Sequence, residues 1–338
     1  MDNHADGRDK PARPRVVLMT TGGTIGTGAD YGTRLPGAEL LGLIPSVLGQ
    51  IDVVLDEADN RPSPFFEPAE MLALAKRARG HLASPEVAGI VITFGTDAMD
   101  EMVYLLDVTN TSGKPIVATG AMFNTKSPYP DGPRNLHDAL LVAASPAARG
   151  CGAVLVMNGA IHPGGEVVKI NSMSIDAFAS PKYGPLGSVE GGQVAFRRAV
   201  TGRETIAAGE IEPQVDLIAT SVGMDARFVD ASVAAGSRGM VLAAMGGGAL
   251  PMPMMPRLRE LAEGGFPILV ASRCLLGGVR PPRGVHAAGR GMLLTAGDLP
   301  PHKARIKLML ALAAVRHLAP PDARRQLAAF FAPRQEAE

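Results

Sequence analysis

Val16-Val-Leu-Met-Thr-Thr-Gly-Gly-Thr24-Ile-Gly26 is the stretch on which the reading of the fold turns. Val16–Thr21 is an apolar and β-branched run with no polar alternation, and the glycines after it break the run. Such a strand is expected where both faces of a parallel sheet are covered. Four further runs share this character: Asp52–Leu55, Gly89–Thr93, Pro115–Thr119 and Ala153–Met157. Helical spacing lies between them. Met99, Met102, Val103 and Leu106 follow i, i+3, i+4, i+7, and Pro68–His81 gathers Met71, Leu72 and Ala75 on one face. Strand and helix in alternation predict a doubly wound α/β sheet.

Further along, the alternation lapses. Glycine pairs at Gly164-Gly165 and Gly191-Gly192 predict hairpin turns. Residues 200–214 are polar, carry a proline and lack an apolar period, which predicts a linker. A second α/β series then begins, with strands at Leu217–Val222, Met240–Met245 and Pro267–Ser272. It closes on Lys303–Leu318, apolar almost all round and so expected to be a buried helix. The expected fold class is therefore α/β: a disordered tail over 1–14, a larger, mostly parallel doubly wound N-terminal domain over 15–199, the linker over 200–214, and a smaller C-terminal α/β domain over 215–338. Gly239–Pro256 carries no charge, but its three consecutive glycines and three prolines rule out a membrane-spanning helix and predict strand, turn, then helix.

Composition narrows the function. The 338 residues hold 33 Lys+Arg against 33 Asp+Glu, so the formal charge is zero, without the basic excess expected of a nucleic-acid binder. Hydrophobic residues at 46% and charged residues at 20% give a chain that can bury a large core. Two cysteines, Cys151 and Cys274, supply neither a disulfide framework nor a thiolate metal cage. Residues 1–14 contain no apolar run of the kind a secretory signal needs, so a cytoplasmic location is expected.

In open α/β sheets, ligands bind beyond the carboxyl ends of the strands. Two threonine-bearing loops fall there: Thr20–Gly28 after the first strand and Thr93-Phe-Gly-Thr-Asp97 after the third. Gly22-x-Thr24-x-Gly26 has the form of a nucleophile elbow with threonine in the serine position, although a Gly/Thr-rich loop is more often an ordinary turn. The order of its glycines is wrong for a dinucleotide loop, and there is no phosphate loop elsewhere. A threonine hydroxyl needs a base. The histidines (His4, His81, His137, His162, His286, His302, His317) form no relay and no metal motif, and read as ordinary imidazoles. A lysine whose pKa is lowered by burial is another source of a base. Lys169, at the end of an apolar run, is one candidate, and its bland reading is a solvated strand residue.

These motifs resemble those of the bacterial-type L-asparaginase (asparaginase/glutaminase) family. Thr21-Gly-Gly-Thr24-Ile-Gly26 is similar to its first signature and Thr93-Phe-Gly-Thr96-Asp97-Ala-Met99-Asp-Glu101 to its second. Lys114-Pro115, Gly120–Met122, Asp131–Asn135, Val156–Asn158, Tyr183–Gly187 and Ser272-Arg273 continue the likeness in order, from about residue 15 to 320. The resemblance implies hydrolysis of L-asparagine to L-aspartate and ammonia through a threonine acyl-enzyme, with no metal or cofactor. It makes Thr24 the nucleophile and Tyr31 an activating residue on a mobile lid. Thr96, Asp97 and Lys169 form a second catalytic cluster, in which Asp97 also holds the substrate α-ammonium group. Ser63 corresponds to the residue that binds the α-carboxylate, with Thr96 and Asp97 completing the substrate-binding set. It further implies a small-molecule amide substrate and a homo-oligomer, dimer or tetramer, with no nucleic-acid or membrane partner.

Three features depart from the family pattern. Phe94 stands where the second signature usually has histidine. Ala249 ends a segment where the family's C-terminal domain supplies an asparagine. The run Met252, Met254, Met255 follows, read as packing at a helix start, though a methionine-lined opening would admit bulkier amides. The alternatives are therefore a glutaminase or hydrolase of another amide, the amidase subunit of a tRNA-dependent amidotransferase, and a catalytically silent relative that binds an amino acid.

Overall fold

The computed structural model describes residues 12–27, 35–279 and 293–332. Among them, the N-terminal sheet is built from β1 (Arg15–Thr20), β2 (Asp52–Glu57), β3 (Val87–Thr93), β4 (Ile116–Thr119), β5 (Ala153–Met157) and β6 (Ala160–Pro163), with β7 (Val168–Lys169) and β8 (Phe178–Ala179) forming a separate small ribbon and β9 (Gly187–Glu190) and β10 (Gln193–Phe196) completing the sheet. Its order is β10-β9-β6-β5-β4-β3-β1-β2. The five strands β1 to β5 run parallel, and the pairs β5/β6, β6/β9 and β9/β10 are antiparallel.

Burial on two faces explains the unbroken apolar strands. In β1, Val17 and Met19 face one core cluster while Val16 and Leu18 face the other; in β3, Ile90 and Ile92 oppose Val91 in the same way. Helices α1 (Gly37–Gly42), α2 (Pro45–Leu48), α3 (Pro68–Leu82), α4 (Met99–Thr109) and α5 (Gly132–Ala144) supply the covers. Leu136, Ala139 and Leu140 of α5 enter the second cluster, whereas Met71, Leu72 and Ala75 of α3 and Met99, Met102, Val103 and Leu106 of α4 enter the first. The start of α3 is fixed by a capping box, with the Glu70 carboxylate accepting from the Glu67 amide at 2.8 Å.

The C-terminal sheet holds β11 (Val215–Ala219), β12 (Gly239–Ala244), β13 (Ile268–Ser272) and β14 (Leu293–Thr295), all parallel and in sequence order. Helices α6 (Arg227–Ala234) and α7 (Met255–Glu263) cover one face, and α8 (Pro301–Val315), followed by α9 (Pro320–Phe330), covers the other. Leu308, Met309 and Leu310 of α8 share a continuous core with α4, so the fold is a large α/β domain joined through buried apolar surface to a smaller one. No helix among the described residues is long and apolar enough to cross a membrane.

Several local expectations need correction. β2 is the edge of its sheet and is only half covered, with Val54 40% exposed, so it is not a strand buried on both faces. The turn at Gly164-Gly165 does not close a hairpin: β6 ends before it, and the ribbon that follows pairs β7 with β8 instead. A β-carbon on Gly164 would lie 2.7 Å from the Val103 carbonyl of α4, so close packing explains that glycine. The hairpin preceding it turns at Asn158-Gly159, both at positive φ, joining β5 to β6. Gly191-Gly192 does close a two-residue hairpin, between β9 and β10. In the C-terminal sheet, β11 begins and ends earlier than Leu217–Val222, and Val222 is solvent-exposed.

Residues 200–214 contain no helix or strand, but they are pinned rather than loose. Ile206 and Ala208 are buried, the Ile206 amide donates to Val108 O at 2.7 Å, and the Arg203 guanidinium donates to Asp107 O and Asn110 O. At the other end of the domain, Arg13 and Pro14 bond to Leu48 and Asp52.

Candidate active site

The sheet order β2-β1-β3-β4-β5 reverses direction between β1 and β3, and ligands in doubly wound folds bind at such a switch point. Both threonine loops leave the sheet there. Thr20 and Thr93 are direct partners at the strand ends, and the Thr21 hydroxyl donates to Thr93 O at 2.5 Å. Three loops then interlock through glycines. Gly23, at φ 85°, would place a β-carbon 2.8 Å from Gly95 Cα, and Gly95 would place one 2.6 Å from Ser63 Oγ. Thr24, Ser63 and Thr96 are thereby gathered at one edge.

Thr24 opens a single 3-10 turn, Thr24–Gly26, entered through the positive-φ residues Gly22 and Gly23. The Thr27 hydroxyl donates to Gly23 O at 2.9 Å, and the Leu35 amide donates to Gly26 O at 2.8 Å, closing the base of the segment that follows. Tyr31, the expected lid residue, lies outside the described residues. Ser63 starts a second 3-10 turn after β2, and its buried hydroxyl has no hydrogen-bond partner among the described residues.

At the Thr96 loop, the Lys169 ammonium donates to Thr96 Oγ1 at 3.0 Å and to Asp97 Oδ1 at 2.9 Å. The lysine side chain is 17% exposed and the Asp97 side chain 69%, so the aspartate projects from the loop while the lysine lies beneath it. Lys169 arrives on β7, and its backbone amide donates to Asp100 Oδ2 at 3.1 Å. Burial alone would raise the Asp100 pKa. The His302 ring, the Lys303 charge and the Lys169 amide outweigh it and hold this carboxylate below its ordinary value. Its neighbour Glu101 is pushed up, by burial foremost.

The remaining motif residues act as scaffold. Asp131 accepts from the amides of Met122 and Phe123, fixing the loop after β4, and Asn135 bonds Gly120 O and the Asn158 amide. Phe94 is fully buried, its ring 5.1 Å from that of Phe66, over which Arg61 stacks. The departure from histidine therefore falls on a packing residue. Ala249 closes the turn after β12 by bridging Met245, Met254 fills the C-terminal core, and Met252 is exposed. Among the described residues, no group of three or more His, Cys, Asp or Glu side chains could hold a metal ion. His302 and Lys303, read from sequence as an ordinary imidazole and a helix residue, stand behind Lys169; nothing in their spacing marks them, because their partners are 136 or more residues distant.

Residues 15–201 match the asparaginase N-terminal domain, and residues 214–325 match the glutaminase/asparaginase C-terminal domain. The chain is 32% identical to L-asparaginase 2 of Bacillus subtilis, over 91% of its own length and 85% of the relative's. It is also 32% identical to the glutaminase-asparaginase of Pseudomonas aeruginosa, over 88% and 86% of the two lengths. The crystal structure of a probable cytoplasmic L-asparaginase from Campylobacter jejuni superposes with a TM-score of 0.83 at 30% identity, covering 93% of this chain and 99% of that one. The fold and site thus define an α/β amidohydrolase with threonine-bearing loops at its switch point. The chain belongs to the asparaginase/glutaminase family of amidohydrolases.

Proposed function

We propose that this protein hydrolyses the side-chain amide of a free amino acid, L-asparagine first, through an acyl-enzyme on Thr24. The observation that carries the reading is the Lys169–Thr96–Asp97 cluster, bonded at 3.0 and 2.9 Å beside the Thr24 turn. A hydroxyl that accepts from an ammonium keeps its own hydrogen for another partner. Thr96 is thus oriented to donate into the cleft, toward the substrate or the hydrolytic water. Asp97 keeps a carboxylate oxygen for the substrate α-ammonium, and the unpartnered Ser63 hydroxyl suits the α-carboxylate.

In the first half-reaction, Thr24 Oγ gives up its proton and bonds to the amide carbon, the C–N bond breaks, and the nitrogen leaves as ammonia carrying a proton equivalent to the one lost. Water then attacks the ester carbon, the bond to Thr24 Oγ breaks, and L-aspartate is released with the threonine proton restored. By the family resemblance, Tyr31 is assigned to assist proton transfer. We assign the protein to the cytoplasm, in line with its likeness to a probable cytoplasmic L-asparaginase, and to a homo-oligomer, dimer or tetramer, by analogy with its family. A preference for glutamine or a bulkier amide is the second reading, favoured by Ala249, which offers no polar side chain where the family resemblance leads one to expect asparagine.

Ammonia release from L-asparagine, L-glutamine and a β-aspartyl amide tests this, with Thr24→Ala as control. Turnover of L-asparagine that vanishes in the variant is expected. Amino-acid binding without turnover in the wild type would make the protein a silent relative.

A further inference from the structure

The segment that carries Lys169 is gripped from the other domain. His302 and Lys303 are adjacent at the start of α8, and each reaches a different part of that segment. His302 Nε2 is buried and lies 3.1 Å from Asp100 Oδ2, the oxygen that accepts the Lys169 amide. The approach is not aligned as a hydrogen bond and is a close polar contact between the ring nitrogen and the carboxylate oxygen. Fully buried Lys303 donates to the carbonyl of Gly164 at 2.8 Å and to that of Val167, on the stretch leading into β7. Its ammonium also lies 5.6 Å from the centre of the Tyr104 ring on α4. Glu101 on α4 and Arg305 on α8 complete the charged surroundings.

A side chain placed by a two-residue ribbon needs such support, because β7 and β8 share only the pairs Val168–Ala179 and Lys169–Phe178. Without Asp100 the Lys169 backbone has one tie fewer, and the ammonium must find Thr96 and Asp97 from a looser base. We propose, on the amidohydrolase reading above, that His302 is a positioning residue: through Asp100 it fixes the Lys169 backbone, so that the C-terminal domain sets the geometry of the Thr96–Asp97–Lys169 cluster. His302 itself touches no reacting atom. The effect of its loss therefore runs through Lys169 alone.

The test compares His302→Ala, His302→Gln and Asp100→Asn with the full-length wild type by residue-resolved hydrogen exchange and by steady-state ammonia release. Exchange at the Lys169 amide should quicken about tenfold in His302→Ala, with amides of β3 and β12 unchanged. The kcat for L-asparagine should fall by about tenfold, with KM within about twofold. His302→Gln, which keeps an N–H donor, should recover most of both effects. In a Lys169→Ala background, removing His302 should cost nothing further, since coupled residues are non-additive.

Unchanged exchange at Lys169 in His302→Ala would overturn the inference, as would an equal loss of rate with and without Lys169. If Asp100→Asn does not fold, His302→Ala still decides, since the ring is about one-third exposed. A wild type that releases no ammonia would defeat the hydrolase reading, and the exchange measurement would decide the positioning claim by itself.

Discussion

The Thr24 turn and the Thr96 loop leave adjacent strands at the same sheet edge, yet they are held in different ways. Local backbone contacts and one core side chain shape the first: positive-φ glycines, a Thr27 hydroxyl on Gly23 O, the Leu35 amide on Gly26 O, and buried Ile25. The second is anchored in depth, by Lys169 to Thr96 and Asp97, by Asp100 to Lys169, and by the start of α8 behind them. The difference suits a division of labour. Under the proposed mechanism, the nucleophile that bonds to substrate and is released again would sit on the first loop, and the groups that must hold charge in place on the braced one.

Exchanging the two hydroxyls tests that division most severely. Thr24→Ala should abolish turnover, while Thr96→Val should leave residual activity after a loss of roughly 10²–10⁴-fold, the range for removing a proton-transfer partner. Equal residual rates in the two variants would mean that the loops share one role.

A smaller effect is expected at the seam between the loops. Gly23→Ala introduces a side chain at φ 85° and a β-carbon 2.8 Å from Gly95 backbone atoms. Strain of this kind costs about 1–3 kcal/mol, and urea unfolding should record it as a lower midpoint with an unchanged m-value. If stability is unaltered, the two loops are not in contact as described.

The smallest effect concerns the brace. Burial pushes Lys303 down to about 8, against the attraction of Asp100, Asp107 and Glu166. The unfolded lysine titrates near its ordinary value, so between pH 8 and that value the unfolded chain binds more protons than the folded one. Stability contributed at this site therefore rises with pH across the window, by about 1 kcal/mol per pH unit at most. The stability gap between wild type and Lys303→Met should shift in the wild type's favour from pH 8 to 9. A gap independent of pH would mean that the folded lysine keeps its ordinary pKa.

Much of the fold was legible because burial on both sheet faces leaves unbroken apolar runs, as in Val16–Met19 and Ile90–Ile92. β2 misled because its apolar residues mark an edge strand, half covered and ending in the carboxylates Asp56 and Glu57. The Asn158-Gly159 hairpin carried a strong local signal that lay inside a longer apolar stretch. β7 and β8, two residues each, are too short to show a period at all. In the site, both threonine loops followed from strand-end logic, but bringing Lys169 to Thr96 and Asp97, more than 70 residues away, required the family resemblance. His302 remained hidden for a physical reason: its only mark is a tertiary contact with Asp100.

The central claim is that Thr24, and not Thr96, bonds to the substrate. Acid-quenching the enzyme during turnover of L-asparagine, followed by peptide mass spectrometry, reads this directly. An aspartyl ester on the peptide containing Thr24, absent from Thr24→Ala, is the expected result. An ester on the Thr96 peptide, or full turnover in Thr24→Ala, would contradict the account.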